Sequence, residues 1–166
     1  GPKKNLLEET RDHCHRAMVK RPVITDEELE KIRSIGVNGF RTQTIYTFFR
    51  PGGKEDFVQA LDRICFEAEF AIEKGYSFII LSDRGTGGEN AALPALLAVS
   101  AVHQHLVRKA VRSQIGIIVE SGEPREVHHF ALLFGYGADC IDPYLAYEAV
   151  RHMVRDGSVE KDEGEA

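Results

Sequence analysis

The stretch QIGIIVESGEPREVHHFALLFGYGADCIDPY, residues 114–144, reads as one β–α–β unit. QIGIIVE (114–120) is short, apolar and rich in β-branched residues, the composition of a strand buried on both faces. Behind it Val127, Phe130, Ala131 and Phe134 fall on one side of a helix that stops at Gly135, with Glu123 and Glu126 in its first turn, where carboxylates complement the helix dipole. ADCID (138–142) forms the next strand, and Pro143 starts a last helix that runs through Val154. Two strands joined through a helix, with no hairpin turn between them, run parallel by a right-handed crossover.

Upstream the same beat recurs. RTQTIYTFF (41–49) reads as a strand, broken by PGGK. Phe57, Leu61, Ile64, Cys65, Ala68, Ala71 and Ile72 then repeat at helical spacing, and Gly75 closes that helix. SFIILS (77–82) is a buried strand, and after a glycine-bearing loop a long helix opens at Pro94. Four β-then-α units in succession predict an α/β fold of parallel units amounting to about half of a (β/α)8 barrel. The first 39 residues form an irregular helical arm: LLEETRDHCHRAM, an extended RPVI, and a helix in TDEELEKIRSIG with Thr25 or Asp26 as its N-cap. Residues 40–156 make up the β/α domain, and the acidic tail 157–166 is expected to be disordered.

Composition narrows the functions open to such a fold. Of the 166 residues 43% are apolar and 28% charged, values of a soluble globular domain, and a net charge of −5 argues against nucleic-acid or acidic-membrane partners. The longest apolar run, AALPALLAVSAV (91–102), is too short for a bilayer and contains a proline, and no signal peptide is recognisable. Cys14, Cys65 and Cys140 are odd in number and scattered, as reduced thiols of a cytoplasmic protein are.

Ligands of parallel β/α folds meet the carboxyl ends of strands. Here those ends carry Asp83 and Arg84, Glu120 and Ser121, and Asp142 followed by Tyr144, with Arg125 close behind. Converging carboxylates and arginines could hold a metal or a small anion or do acid–base work. The alternative, which the absence of lysine, cysteine and histidine at these ends favours, is an ion-pair and hydrogen-bond network that ties loops together. DRGTGGEN (83–90) stands where a phosphate loop would, but it lacks the glycine and lysine spacing of one, and Asp83 and Glu89 would repel phosphate. It reads instead as a mobile interdomain loop. His103 and His105 point about 200° apart on their helix, and His128 and His129 about 100° apart, so neither pair can share a metal. His103 is placed with Val99, Leu106 and Val107 as a half-buried packing residue, and HCH (13–15) has no second cluster at zinc spacing.

ILSDRG (80–85), ALPALLAVSAVHQHLVR (92–108) and IIVESGEPREVHHFALLFGYGADCIDPYLAYEAV (117–150) together resemble the central domain of the glutamate synthase large subunit, and residues 1–34 resemble the segment just upstream in that domain. The resemblance implies a place between an amidotransferase domain, whose N-terminal cysteine hydrolyses glutamine, and a domain carrying FMN and an iron–sulfur cluster that aminates 2-oxoglutarate. Ammonia passes between the two through an internal tunnel, and the central domain, barrel-like but without flavin, links and buttresses them. The chain opens on Gly1, its cysteines are too far apart for a cluster, and TGGEN (86–90) departs from the more acidic stretch of the family. No catalytic residue, cofactor or metal is therefore expected in this chain, and Asp83, Arg84, Glu120, Ser121, Arg125 and Asp142 are expected to form a structural rim. By the same resemblance the protein is cytoplasmic, or plastid-located if of the plant type. The alternative is a free-standing half-barrel that binds a small anion or metal at that rim.

Overall fold

The computed structural model describes residues 19–37 and 39–158. The helical reading of LLEETRDHCHRAM, the HCH triplet, Cys14 and the tail beyond residue 158 lie outside them. The elements are α1 (Asp26–Arg33), β1 (Thr42–Tyr46), β2 (Phe48–Phe49), α2 (Phe57–Glu73), β3 (Phe78–Ser82), β4 (Ala91–Ala92), α3 (Ala95–Arg108), a 3-10 turn (Arg112–Gln114), β5 (Gly116–Glu120), α4 (Val127–Gly135), β6 (Cys140–Asp142) and α5 (Tyr144–Arg155).

Strands β1, β3, β5 and β6 pair in that order, all parallel. Each is followed by a helix before the next strand of the sheet, and the order never reverses, as in an arc of a barrel rather than a doubly wound sheet. Ile45, Ile79, Leu81, Ile117, Val119 and Ile141 point to one face, where Ala60, Ile64, Ala68, Ala98, Val99, Val102 and Leu106 of α2 and α3 complete the larger core. Full burial of one such isoleucine or leucine contributes about 1.5–3 kcal/mol. The opposite face carries Ile80, Ile118 and Cys140, which pack against Ile24 and against Leu29 of α1.

The N-terminal arm therefore takes part in the sheet. Ile24 donates its N–H to the Ile141 carbonyl (2.9 Å) and Ile141 donates to that of Pro22 (2.8 Å), so RPVI lies parallel along the outer edge of β6. Thr25 then caps α1: its hydroxyl accepts from the Glu28 N–H while Glu28 Oε2 accepts from the Thr25 N–H.

Four local expectations need correction. RTQTIYTFF is two strands, because the buried Thr47 changes partners: its N–H bonds to Ser82, its carbonyl receives Leu93, and β2 turns away to pair antiparallel with β4. DRGTGGEN leads into that small ladder, held by mutual backbone bonds between Gly87 and Asn90 and by an Arg50–Glu89 ion pair. In α4 the inward stripe is Phe130, Leu133 and Phe134; Val127 is 86% exposed and Ala131 is exposed. The helix packs on α3, and the side chains turned to the core are those away from Val127 and Ala131. The helix does stop at Gly135, and Gly137 makes the turn behind it: at φ 116°, with His103 lying where a Cβ would sit, only glycine fits. Val107, placed on the packing face of α3, is instead about half exposed.

Candidate functional site

The parallel register puts Tyr46, Ser82, Glu120 and Asp142 in one row across the carboxyl ends of the four strands. Side chains alternate along a strand, so this row shares the face of Ile80, Ile118 and Cys140, the face that α1 covers. Asp26, Glu30 and Arg33 recur at helical spacing on α1 and line an open cleft of about 590 Å³ with Tyr46, Ser82, Arg84, Glu120 and Glu148.

Two carboxylates organise the rim. Glu120, 2% exposed, receives Ser82 Oγ and Arg33 Nη2 on Oε2 (2.5 and 2.9 Å) and Arg84 Nε on Oε1 (2.5 Å). Arg33 also donates to Thr44 Oγ1 (2.6 Å) and to Glu30 (2.9 Å), which ties α1 to β1 and β5. Asp83, 5% exposed, receives Ser121 Oγ (2.6 Å), the Gly122 N–H (3.1 Å) and the Tyr144 hydroxyl (2.8 Å). Burial, reinforced by that bond to Asp83, pushes the Tyr144 phenol well above its ordinary range. Arg84 joins the two centres: its guanidinium lies 4.1 Å over the Tyr144 ring and pairs with Asp26, which also takes Arg151 Nη2 at 2.5 Å.

Asp142 differs from both. It is fully buried, and neither carboxylate oxygen has a hydrogen-bond partner among the described residues. Burial, with the charges of Asp26 and Glu120 added and those of Arg84 and Arg151 partly offsetting, raises its carboxyl to about 7. Such a group is a proton holder near neutrality, not a fixed anion.

Of the residues singled out in the sequence, Asp83, Arg84, Glu120, Ser121 and Asp142 come together at this rim. Arg125 does not join them: it is exposed ahead of α4, where its backbone N–H donates to His129 Nδ1 (3.2 Å). Glu123 does not serve its own helix; its carboxylate accepts the Ala95 N–H at the start of α3 (2.9 Å). Arg33 and Asp26 were missed as rim residues. Their spacing on one side of α1 was visible, but nothing in the sequence said which strand ends that side would meet. Arg112 was missed too: it donates to His103 Nδ1, the Ile115 and Gly137 carbonyls and Asp139, and fastens α3 to the approach to β6.

The described cysteines do not fit an iron–sulfur cluster. Cys65 and Cys140 sit on α2 and β6, and burial pushes both thiols up to about 11, away from the thiolate that a cluster needs. Among the described residues no three histidine, cysteine, aspartate or glutamate side chains are grouped to hold a metal ion, and no helix is long and apolar enough to cross a membrane.

The family model described as glutamate synthase central domain matches residues 1–166. Among curated relatives, a Bacillus subtilis protein named glutamate synthase [NADPH] large chain is 41% identical over 160 residues, covering 96% of this chain and 10% of its own length. Glutamate synthase [NADH] of Schizosaccharomyces pombe is 39% identical over 162 residues, covering 96% and 8%. An Arabidopsis thaliana protein named ferredoxin-dependent glutamate synthase 2, chloroplastic, is 36% identical over 155 residues, covering 91% and 9%. The chain thus spans about a tenth of the length of the relatives it matches.

Proposed function

The chain belongs to the glutamate synthase central domain family, and from that membership we propose that it serves as a noncatalytic linker and scaffold domain of a glutamate synthase. In this reading its partners are the amidotransferase domain and the FMN- and iron–sulfur-bearing domain of the same polypeptide, and it helps to shape the path by which ammonia passes from one to the other. The enzyme it serves makes glutamate from glutamine and 2-oxoglutarate, in the cytoplasm or, for a plant-type enzyme, in the plastid. Relatives named for NADH, NADPH and ferredoxin all match this region, at 36–41% identity.

The observation that supports a scaffold role is the way the rim is used up. At the place where this fold class binds ligands, Asp83 and Glu120 are each held by three protein groups, and Arg84 is shared between Glu120, Asp26 and the Tyr144 ring. Preformed bonds of this kind fix the strand ends and α1 in one arrangement and commit Asp83, Arg84 and Glu120 to protein groups.

The test is made in the full-length enzyme with Glu120→Ala. Glutamine consumed per 2-oxoglutarate aminated is expected to rise above one, with free ammonia released, while glutaminase activity and ammonia-dependent glutamate synthesis persist. A ratio that stays at one, or glutamate made by the isolated chain alone, would overturn the reading. One observation favours the alternative of a small ligand at the rim, namely the unpartnered Asp142 oxygens. Thermal-shift titration with phosphates, dicarboxylates and divalent cations separates the two, since a scaffold gives a flat response.

A further inference from the structure

Helix α5 is attached by its polar side. Tyr144 reaches Asp83 and lies under Arg84, Arg151 pairs with Asp26, and Tyr147 shares this side at i+3 from Tyr144. Its aliphatic side is turned the other way: Leu145 is 44% exposed, Val150 55% and Met153 44%, with exposed Ala149 between them, and no residue of the helix is buried. In a surface helix of a globular domain the apolar stripe faces the core and the polar side faces water. Here Leu145 rests on Gly122 and Val154 is half-buried, but Ala149, Val150 and Met153 of the stripe stay exposed among the described residues.

Resting on the proposal that the chain is one domain of a longer enzyme, we infer that this stripe docks against an aliphatic surface of the same polypeptide outside these residues. Its size favours an attached occupant over a free one. Three half-exposed aliphatic side chains offer on the order of 200 Å² of apolar surface, against the roughly 800 Å² that each partner of a stable complex buries. A patch that small does not hold a separate molecule or a second copy, but it suffices for a tethered segment whose effective concentration is about millimolar. The relatives, about ten times longer than the region they share with this chain, supply such a segment. The residues after Ser158, VEKDEGEA, contain one large apolar residue.

Methionine oxidation reads this directly. Dilute hydrogen peroxide is applied to the isolated chain and to the full-length protein, and Met153 sulfoxide is followed by peptide mapping. Resistance of Cys65 and Cys140 to alkylation reports that the core is folded in both. Met153 is expected to oxidise at least tenfold more slowly in the full-length protein. Val150→Asp should return that rate to the isolated-chain value while leaving the melting temperature of the isolated chain unchanged. Equal rates in the two proteins would overturn the inference. So would protection already present in the isolated chain, or a concentration-dependent dimer of it that Val150→Asp abolishes. Equal Met153 rates together with protection of the exposed Phe66 and Phe70 from hydroxyl radicals in the full-length protein would remove only the role of α5 and leave the scaffold reading intact.

Discussion

Replacing Asp142 with asparagine should stabilise the protein above neutrality and leave it unchanged or slightly weaker in acid. The Asp142 carboxyl is raised from 3.8 to about 7, first by burial and then by Asp26 and Glu120, against the partial relief of Arg84 and Arg151. The groups around it come from β5, α1, the segment after β3, and α5, where Tyr147 also feels its charge. Because the folded value lies above the unfolded one, the native state keeps a proton that the unfolded chain has already released. Stability from this group is therefore complete below about pH 4 and is lost as pH rises through 7. A shift of about three units corresponds to ~4 kcal/mol, lost at up to ~1.4 kcal/mol per pH unit. Asparagine carries no charge to release, but its amide inherits the unpartnered surroundings at a cost of about 1–3 kcal/mol. His103 works in the opposite sense: burial, with Arg112 beside it, holds its imidazole low, so its contribution is present above about pH 6.5 and lost below. That term is common to both proteins and cancels in their difference. Urea unfolding followed by circular dichroism from pH 4 to 8 should show the variant gaining on the wild type by ~3–4 kcal/mol across the range, most of it between pH 4 and 7. A difference that stays constant within about 0.5 kcal/mol would refute the assignment of Asp142 as a buried, protonated acid.

Glu120→Ala should lower unfolding stability by about 3 kcal/mol, the lower end of the range for a broken buried pair because Arg33 and Arg84 keep access to water; a shift of the urea midpoint measures it. Ala110 follows α3 at φ 58°, closing it through bonds from Ala110 to Val107 and from Val111 to Leu106. Ala110→Gly should therefore stabilise by about 0.5–1 kcal/mol, since glycine meets no Cβ penalty in that conformation, and thermal melting should register a rise of a few degrees. Leu133→Ala should cost about 2–4 kcal/mol, whereas Val127→Ala should stay within about 0.5 kcal/mol, a contrast that tests which stripe of α4 is buried.

Strands β3 and β5 were legible because both their faces are buried, which leaves a continuous apolar run that few other local structures explain. Helix α2 was legible because it runs 17 residues, enough turns for its stripe to repeat, though Phe57 at its open end is more than a third exposed. The nine residues of α4 give the stripe only two turns, and the apolar excess of VHHFALLFG lets several rotations look equally good. Thr47 could not be read at all: a buried threonine that hands the chain from one sheet to another is locally identical to one inside a strand. Edge pairing of RPVI was equally hidden, since the bonds to Ile141 join positions more than a hundred residues apart.

The rim residues were legible for a different reason. Once strands are known to be parallel and in sequential order, their carboxyl ends must meet, and Ser82, Glu120 and Asp142 fall into one row with no further information. What that row does was not legible, because its role depends on α1. Arg33 reaches Glu120 across 87 positions in the chain and brings a second guanidinium to a carboxylate that Arg84 already holds. With Arg84 alone, Glu120 would hold only the neutral Ser82 hydroxyl on Oε2 and keep a larger share of its field for the cleft. With two arginines and Ser82, both of its oxygens are engaged and the strand ends are clamped to α1. The cap over this rim is thus the element that the sequence made look separable, and removal of Arg33 is the change that would leave Oε2 of Glu120 to Ser82 alone.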